Sequence, residues 1–192
     1  MNSPDLPTPF GLLPKAALRA MKFCRNESIF HQRDPASAIY FLKTGAIELQ
    51  RHSETGDRIT IHRARPGETF AEASLFSDGY HCDARVTKDS LVVRIERRIL
   101  LDRFRTDAVF ALAIASRFAH QVQTARRLTE ILTVRGAEKR VMDAVRDGLL
   151  DTDIKTFAAT IGLTHEATYR ALSKLSREGS LVKTGRGRYR IA

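Results

Sequence analysis

The sequence predicts an α+β chain: a set of short strands, then one long helix, then a helix-turn-helix closed by a hairpin. Three observations carry this. From Phe23 to Ile95 short apolar or alternating runs are separated by turn residues, the mark of a sandwich or roll. Over 107–134 apolar residues recur at steps of three and four, the mark of a helix. Phe157 to Leu181, FAATIGLTHEATYRALSKLSREGSL, repeats that helical spacing on both sides of a glycine.

At the start, NSPDLPTPFGLLP reads as a loose segment, and 14–22 as a short helix. The strands follow. Ile39-Tyr40-Phe41-Leu42 is an apolar run, Lys43-Thr44-Gly45 a turn, and Ala46-Ile47-Glu48-Leu49-Gln50 an alternating strand. Glu54-Thr55-Gly56-Asp57 turns the chain into Arg58-Ile59-Thr60-Ile61. Pro66-Gly67 turns it again, and Leu91-Val92-Val93-Arg94-Ile95 closes the set.

Residues 97–105 read as a helix, and the long helix follows. Ala111, Ile114, Phe118, Gln121, Ala125, Leu128 and Leu132 step 3, 4, 3, 4, 3, 4 along it. That is a two-chain seam with one polar position, Gln121, to fix register. The same stripe also suits a helix packed on its own domain. Arg135-Gly136 reads as a hinge. The expected organisation is therefore 1–106 for the β-rich domain, 107–135 for the dimerisation helix and hinge, and 136–192 for the C-terminal domain, with a helix over 137–149.

In the helix-turn-helix, Phe157, Ala158 and Ile161 share one face of the first helix, and Gly162 ends it. Thr164 is placed to cap the second helix, and Ala171, Leu172 and Leu175 form that helix's buried stripe. At 100° per residue, Glu166, Arg170, Ser173 and Arg177 stand roughly opposite. An exposed helix face carrying Glu and Arg near its N-terminus suits the major groove of double-stranded DNA. The final hairpin, Leu181 to Ile191, carries Arg186, Arg188 and Arg190 as a basic wing for phosphates. Charge agrees: the chain has a net +10, and from Lys155 onward there are eight Lys/Arg against two Asp/Glu. No apolar run is long enough to span a membrane, and no signal peptide opens the chain. The two cysteines, Cys24 and Cys82, make no disulfide framework, which points to a reducing cytoplasm.

A β-rich domain containing PGETFAEASLF, a long helix and a winged helix-turn-helix in that order resembles the cyclic-AMP receptor/fumarate-nitrate regulator (Crp/Fnr) family. The likeness runs from about Met21 to the end. Its motifs are Gly67-Glu68, Phe70-Ala71-Glu72 and Leu75-Phe76, then Thr164-His165-Glu166 with Arg170. The resemblance implies a cyclic-nucleotide-binding-like β-roll and a homodimer on an inverted-repeat operator. It also implies base reading by Glu166 and Arg170, the pair pre-orienting the arginine. Thr164, Lys174, Arg186, Arg188 and Arg190 would hold phosphates. His165 stands where many relatives carry Arg, which alters the expected half-site. Activation would require an RNA polymerase contact that no motif here marks.

In nucleotide-binding members of the family, a Glu meets the ribose and an Arg about ten residues later meets the cyclic phosphate. Glu72 keeps the first position, but the second falls on Cys82, within Tyr80-His81-Cys82-Asp83-Ala84. A thiol cannot pair with phosphate and Asp83 would repel it. Aligned without gaps, the long helix puts Ala125 and Arg126 where hydroxyls would meet adenine. Cyclic AMP bound in the familial way is therefore not expected. Two cysteines also cannot supply the four ligands of an iron–sulfur cluster.

The effector pocket is expected at Glu72, His81, Cys82 and Asp83. Thiolate, imidazole and carboxylate together suit zinc or copper, so one expectation is a transition metal held by Glu72, His81 and Cys82, with His120 joining from the long helix. The rival readings are a redox or thiol response, a different small molecule, or no effector, Cys82 being a small buried hydrophobe. Adjacent strand residues face opposite ways, so His81 and Cys82 share a site only at a bulge or between protomers. Cys24, His31, His52 and His62 read as structural or surface residues. A catalytic reading fails because three consecutive residues do not set a base against a nucleophile.

Overall fold

The computed structural model describes residues 6–150 and 153–192. The chain divides into two compact units, Met1–Ala115 and Ser116–Ala192, with the boundary inside the long helix.

The first unit is an antiparallel β-roll. Its strands are β1 (Leu18–Phe23), β2 (Ser28–Phe30), β3 (Ala38–His52), β4 (Arg58–Ala64), β5 (Thr69–Phe70) and β6 (Asp83–Glu96). The main path runs β1-β6-β3-β4, with β2 pairing β6 and β5 pairing β3. Tyr40, Leu42, Ile47, Leu49, Ala84, Val86 and Val92 fill the inside. Aromatic rings stack among them: Phe30 on Tyr80 with centroids 3.8 Å apart, and Tyr40 on Phe70 at 5.3 Å. The Tyr80 hydroxyl donates to the Ala38 carbonyl at 3.0 Å and accepts from the Ala38 amide at 3.2 Å, so burying it leaves no polar group unmet. Burial with a hydroxyl neighbour, Tyr80, pushes the Tyr40 phenol well above its usual range.

Three expectations for this unit change. The segment at 14–22 is a single 3-10 turn, Lys15–Ala17, followed by β1, whose Leu18 to Phe23 pair with Ile95 to Ser90 of β6. Its residues favour a helix locally, and pairing with β6 overrides that weak preference. Lys43-Thr44-Gly45 is not a turn, because β3 continues through it with shifted register against β6. Gly45 has φ +101° and lies so close to β6 that a Cβ would collide with Ser90 and the Asp89 carbonyl. The glycine thus bends a long strand instead of ending it. At the N-terminus, residues 1–5 lie outside the described residues, while Leu6, Phe10 and Leu13 are buried, so the segment from Leu6 is anchored, not loose.

Helix α1 (Arg97–Thr106) follows β6, and α2 (Ala108–Thr133) is the long helix. The second unit holds the end of α2, then α3 (Ala137–Arg146), α4 (Ile154–Thr160), α5 (His165–Arg177) and the hairpin β7 (Leu181–Gly185) and β8 (Arg188–Ile191). Gly136, at φ +87°, makes the break before α3, inside the second unit. Ile131, Val141, Ala144, Phe157, Ile161, Leu172 and Leu181 form this unit's core.

One residue of the expected seam on α2 is covered by its own chain. Ile114 is fully buried by its own chain, Phe118, Gln121 and Leu128 are half-buried, and Leu132 packs beside the Gly162 turn. The large apolar side chains of α2 left exposed are Val109, Leu112, Val122 and Leu132. The 3-4 spacing located the helix but mixed its inward and outward faces, since both carry apolar residues.

Candidate nucleic-acid interface and sensory site

Two caps and one glycine set the geometry of the helix-turn-helix. Asp153 starts α4, its carboxylate accepting from the Thr156 amide at 3.0 Å and the Thr156 hydroxyl at 2.7 Å. These bonds favour the ionised form and hold the Asp153 carboxyl below its usual range. At the other end Gly162 takes φ +65°, and the Leu163 amide reaches back to the Ala158 carbonyl at 3.0 Å, the hydrogen bonding of a glycine C-cap. The Thr164 hydroxyl accepts from the Ala167 amide at 3.1 Å and opens α5. Arg140 locks the assembly. It donates to the Val134 carbonyl at 2.9 and 3.1 Å, and to the Ile161 and Gly162 carbonyls at 3.3 Å each. These carbonyls end helices and lack intrahelical partners, so one guanidinium satisfies both termini. Replacing Thr164 by Ala should cost about 1 kcal/mol of stability in denaturant unfolding; an unchanged midpoint would mean that the cap contributes nothing.

Helix α5 buries Thr168, Ala171, Leu172 and Leu175 and leaves His165, Glu166, Tyr169 and Arg170 exposed. Glu166 and Arg170 do not bond to each other, contrary to expectation, and neither has an ion pair among the described residues. Both remain available to an outside partner. Lys174 is not a free phosphate contact. Its ammonium binds both carboxylate oxygens of Glu138 at 2.8 Å, fastening α5 to α3, and this contact raises its pKa. In the hairpin Arg186, Arg188 and Arg190 are exposed as expected, joined by Lys183.

Two contributors were missed in the sequence. Tyr169 is exposed on α5, its ring 6.3 Å from that of His165. The (i, i+4) spacing of the two aromatic residues was the available signal. Arg140 carried none, since its partners are backbone carbonyls.

In the β-roll, Ala71 takes a left-handed conformation, φ +69°, and leads into the 3-10 turn Glu72–Ser74, which places Glu72 half-buried. The string after it alternates. His81 faces outward, Cys82 inward, and Asp83 is at the side. The His81 Nε2 lies 3.1 Å from the Ser77 hydroxyl and 3.2 Å from the Ala73 carbonyl. Asp83 accepts from the Gln32 amide at 2.7 Å and stands 3.7 Å from both His31 and His52. Among the described residues no group of three His, Cys, Asp or Glu is gathered closely enough to hold a metal ion. The proposed ligands Glu72, His81 and Cys82 are therefore not gathered for copper or zinc within one chain: His81 is exposed and Cys82 is buried in the core of the roll.

Cys82 packs in the roll's core, and burial pushes its thiol pKa up, with Arg51 opposing and Asp83 adding. A buried, protonated thiol is a poor nucleophile. Cys24 is exposed. A disulfide reagent on the native protein should therefore titrate one thiol rapidly, and lose that phase in Cys24→Ser; rapid reaction of Cys82 would revive thiol sensing.

Comparison with known proteins agrees with this architecture. Residues 20–107 match the family described as cyclic nucleotide-binding domain. The chain is 29% identical to the cyclic AMP receptor protein of Thermus thermophilus, over 92% of this chain and 88% of that one. It is 25% identical to the nitrogen fixation regulation protein FixK of Azorhizobium caulinodans, over 83% of this chain and 69% of that one. Its fold is similar to that of FixK2 from Bradyrhizobium japonicum, with a TM-score of 0.71 at 23% identity, covering 91% of this chain and 92% of the other. Among the described residues no helix is long and apolar enough to cross a membrane. With a cyclic nucleotide-binding domain over 20–107, a long helix and a capped helix-turn-helix, this chain is similar along most of its length to transcription regulators of the Crp/Fnr family.

Proposed function

We propose that the chain binds DNA sequence-specifically as a homodimer, reading bases with α5 and holding phosphates with the hairpin. The observation that carries this is the exposed, unpaired Glu166 and Arg170 on a helix whose start is fixed by Thr164. An arginine forks onto guanine O6 and N7, and a carboxylate accepts from the cytosine amino group. His165 and Tyr169 extend the reading surface. Thr164, Lys183, Arg186, Arg188 and Arg190 contact phosphates, and Lys174 is left to its structural role. Two such helices enter successive major grooves about 34 Å apart on an inverted repeat.

The dimer forms along the exposed side of α2, through Leu112, Ala115, Ala119 and Val122. These residues step by 3, 4 and 3, and the alanines permit close approach of a second helix. Leu112 is 72% exposed in the single chain and Val122 48%, a cost in solvated apolar surface that pairing removes.

The input differs from that named for the Thermus relative. Cys82 stands where the resemblance calls for a phosphate-binding arginine, and the stacked Phe30, Tyr40, Phe70 and Tyr80 fill the roll beside it. Cyclic AMP is therefore not its effector in the familial manner.

Base reading is tested by Arg170→Ala. Specific binding should weaken by about 1–3 kcal/mol relative to random duplex in a competition assay. Equal weakening on both would make Arg170 a phosphate contact. Arg188→Gln should instead weaken all sequences alike and flatten the salt dependence.

A further inference from the structure

We propose that the mouth of the β-roll carries a site for a small phosphorylated, hydroxyl-bearing metabolite, centred on Arg33 and Arg51. The proposal rests on the reading of the roll as an input domain and requires nothing of the DNA-binding unit. The site is an open cavity of about 640 Å³, whose lining includes Gln32, Arg33, Arg51, Ser77, Asp78 and His81. That volume suits a molecule of sugar phosphate size.

The cations are held in place by backbone. Arg51 follows Gln50, which pairs with Asp83 at the start of β6, so it lies at the end of that ladder near the 81–82 bend. Its Nε donates to the His81 carbonyl at 3.0 Å, leaving both terminal nitrogens to fork onto an anion. Its charge reaches Cys82, where it opposes the rise in the thiol pKa. A cation thus stands near Cys82, the position where the resemblance calls for an arginine.

Arg33 has a left-handed backbone, φ +73°, a conformation that costs a non-glycine residue free energy. The Tyr80 carbonyl fixes it through the Arg33 amide at 2.9 Å. The Arg33 guanidinium has no carboxylate partner among the described residues.

The rest of the lining defines the ligand. The Ala73 carbonyl beside His81 Nε2 can only accept, and Ser77 already donates its proton to the Gly79 carbonyl. Nε2 must therefore carry the hydrogen, and Nδ1 is left for a ligand. Asp78 brings a carboxylate into the same cavity. It opposes a bare polyanion but accepts from hydroxyls. Two guanidiniums against one carboxylate match a monophosphate on a polyol.

Calorimetry on the full chain with ribose 5-phosphate, ribose and inorganic phosphate tests this. Ribose 5-phosphate should bind saturably at one per chain, ribose should give no binding, and phosphate should bind at least about tenfold more weakly. The double variant Arg33→Gln/Arg51→Gln should lose the ribose 5-phosphate site while keeping wild-type melting and wild-type affinity for DNA. Absence of saturable binding, or equal binding by the double variant, overturns the site. Equal affinity for inorganic phosphate overturns the ligand class. DNA affinity measured without ligand on the same preparation tests the regulator independently.

Discussion

Replacing Leu112 and Val122 together by Glu converts the protein to a monomer and lowers its affinity for an inverted-repeat operator by about 10²–10⁴-fold. Each glutamate would face a like charge across the two-fold seam, in surface that must lose water on pairing. Both side chains are exposed in the monomer: Leu112 is 72% exposed and Val122 48%. The fold should therefore survive, and circular dichroism should be unchanged while sedimentation reports half the mass. The DNA effect follows from linkage. Two half-sites bound by one dimer act at a high effective concentration, which separate monomers lose. An undisturbed dimer would place the interface elsewhere, and a monomer with full operator affinity would show that pairing is not needed for recognition.

Phe157→Ala is expected to cost about 3–5 kcal/mol, the usual range for truncating a fully buried aromatic side chain. Phe157 has no exposed surface and sits with Val141, Ile161 and Leu172 in the core of the second unit. Removing its ring leaves a cavity beneath α5. Against the typical stability of a small domain, this loss removes a large share of what holds the reading helix in place. Amide hydrogen exchange checks it. Protection should fall across 137–191 and hold across the strands of the roll, and specific DNA binding should fall with it. Uniform protection would mean that the core repacks around the smaller side chain.

What could be read in advance follows the range of the forces involved. The helix-turn-helix was legible because its determinants are local. Gly162, Thr164 and the stripe Ala171, Leu172 and Leu175 specify turn, cap and buried face within a few residues, and the structure places them so. The β-roll was legible in class but not in detail. β1 forms only because β6 offers an edge, and Gly45 bends a strand because Ser90 lies beneath it. Neither cause is visible in a window of neighbouring residues. The burial of Ile114 on α2 was not legible for a related reason: Ile114 and Leu112 are both apolar, and only the rest of the chain decides which is covered. At the site, Glu166 and Arg170 were identifiable by type and spacing. Lys174 was not, because the carboxylate that claims it, Glu138, lies on another helix. The His81-Cys82-Asp83 string suggested a metal by composition, but the bend leading into β6 leaves His81 exposed and Cys82 buried.

The central claim is that α5 reads a DNA sequence in two symmetry-related copies. Selection of the full-length protein's preferred duplexes from a random pool tests it most directly. The account predicts an enriched inverted repeat with half-site centres about one helical turn apart, 10–10.5 base pairs. It also predicts that Arg170→Ala loses a conserved guanine within each half-site while keeping the spacing. Recovery of no common sequence, or of a single undivided site indifferent to Arg170, would contradict it.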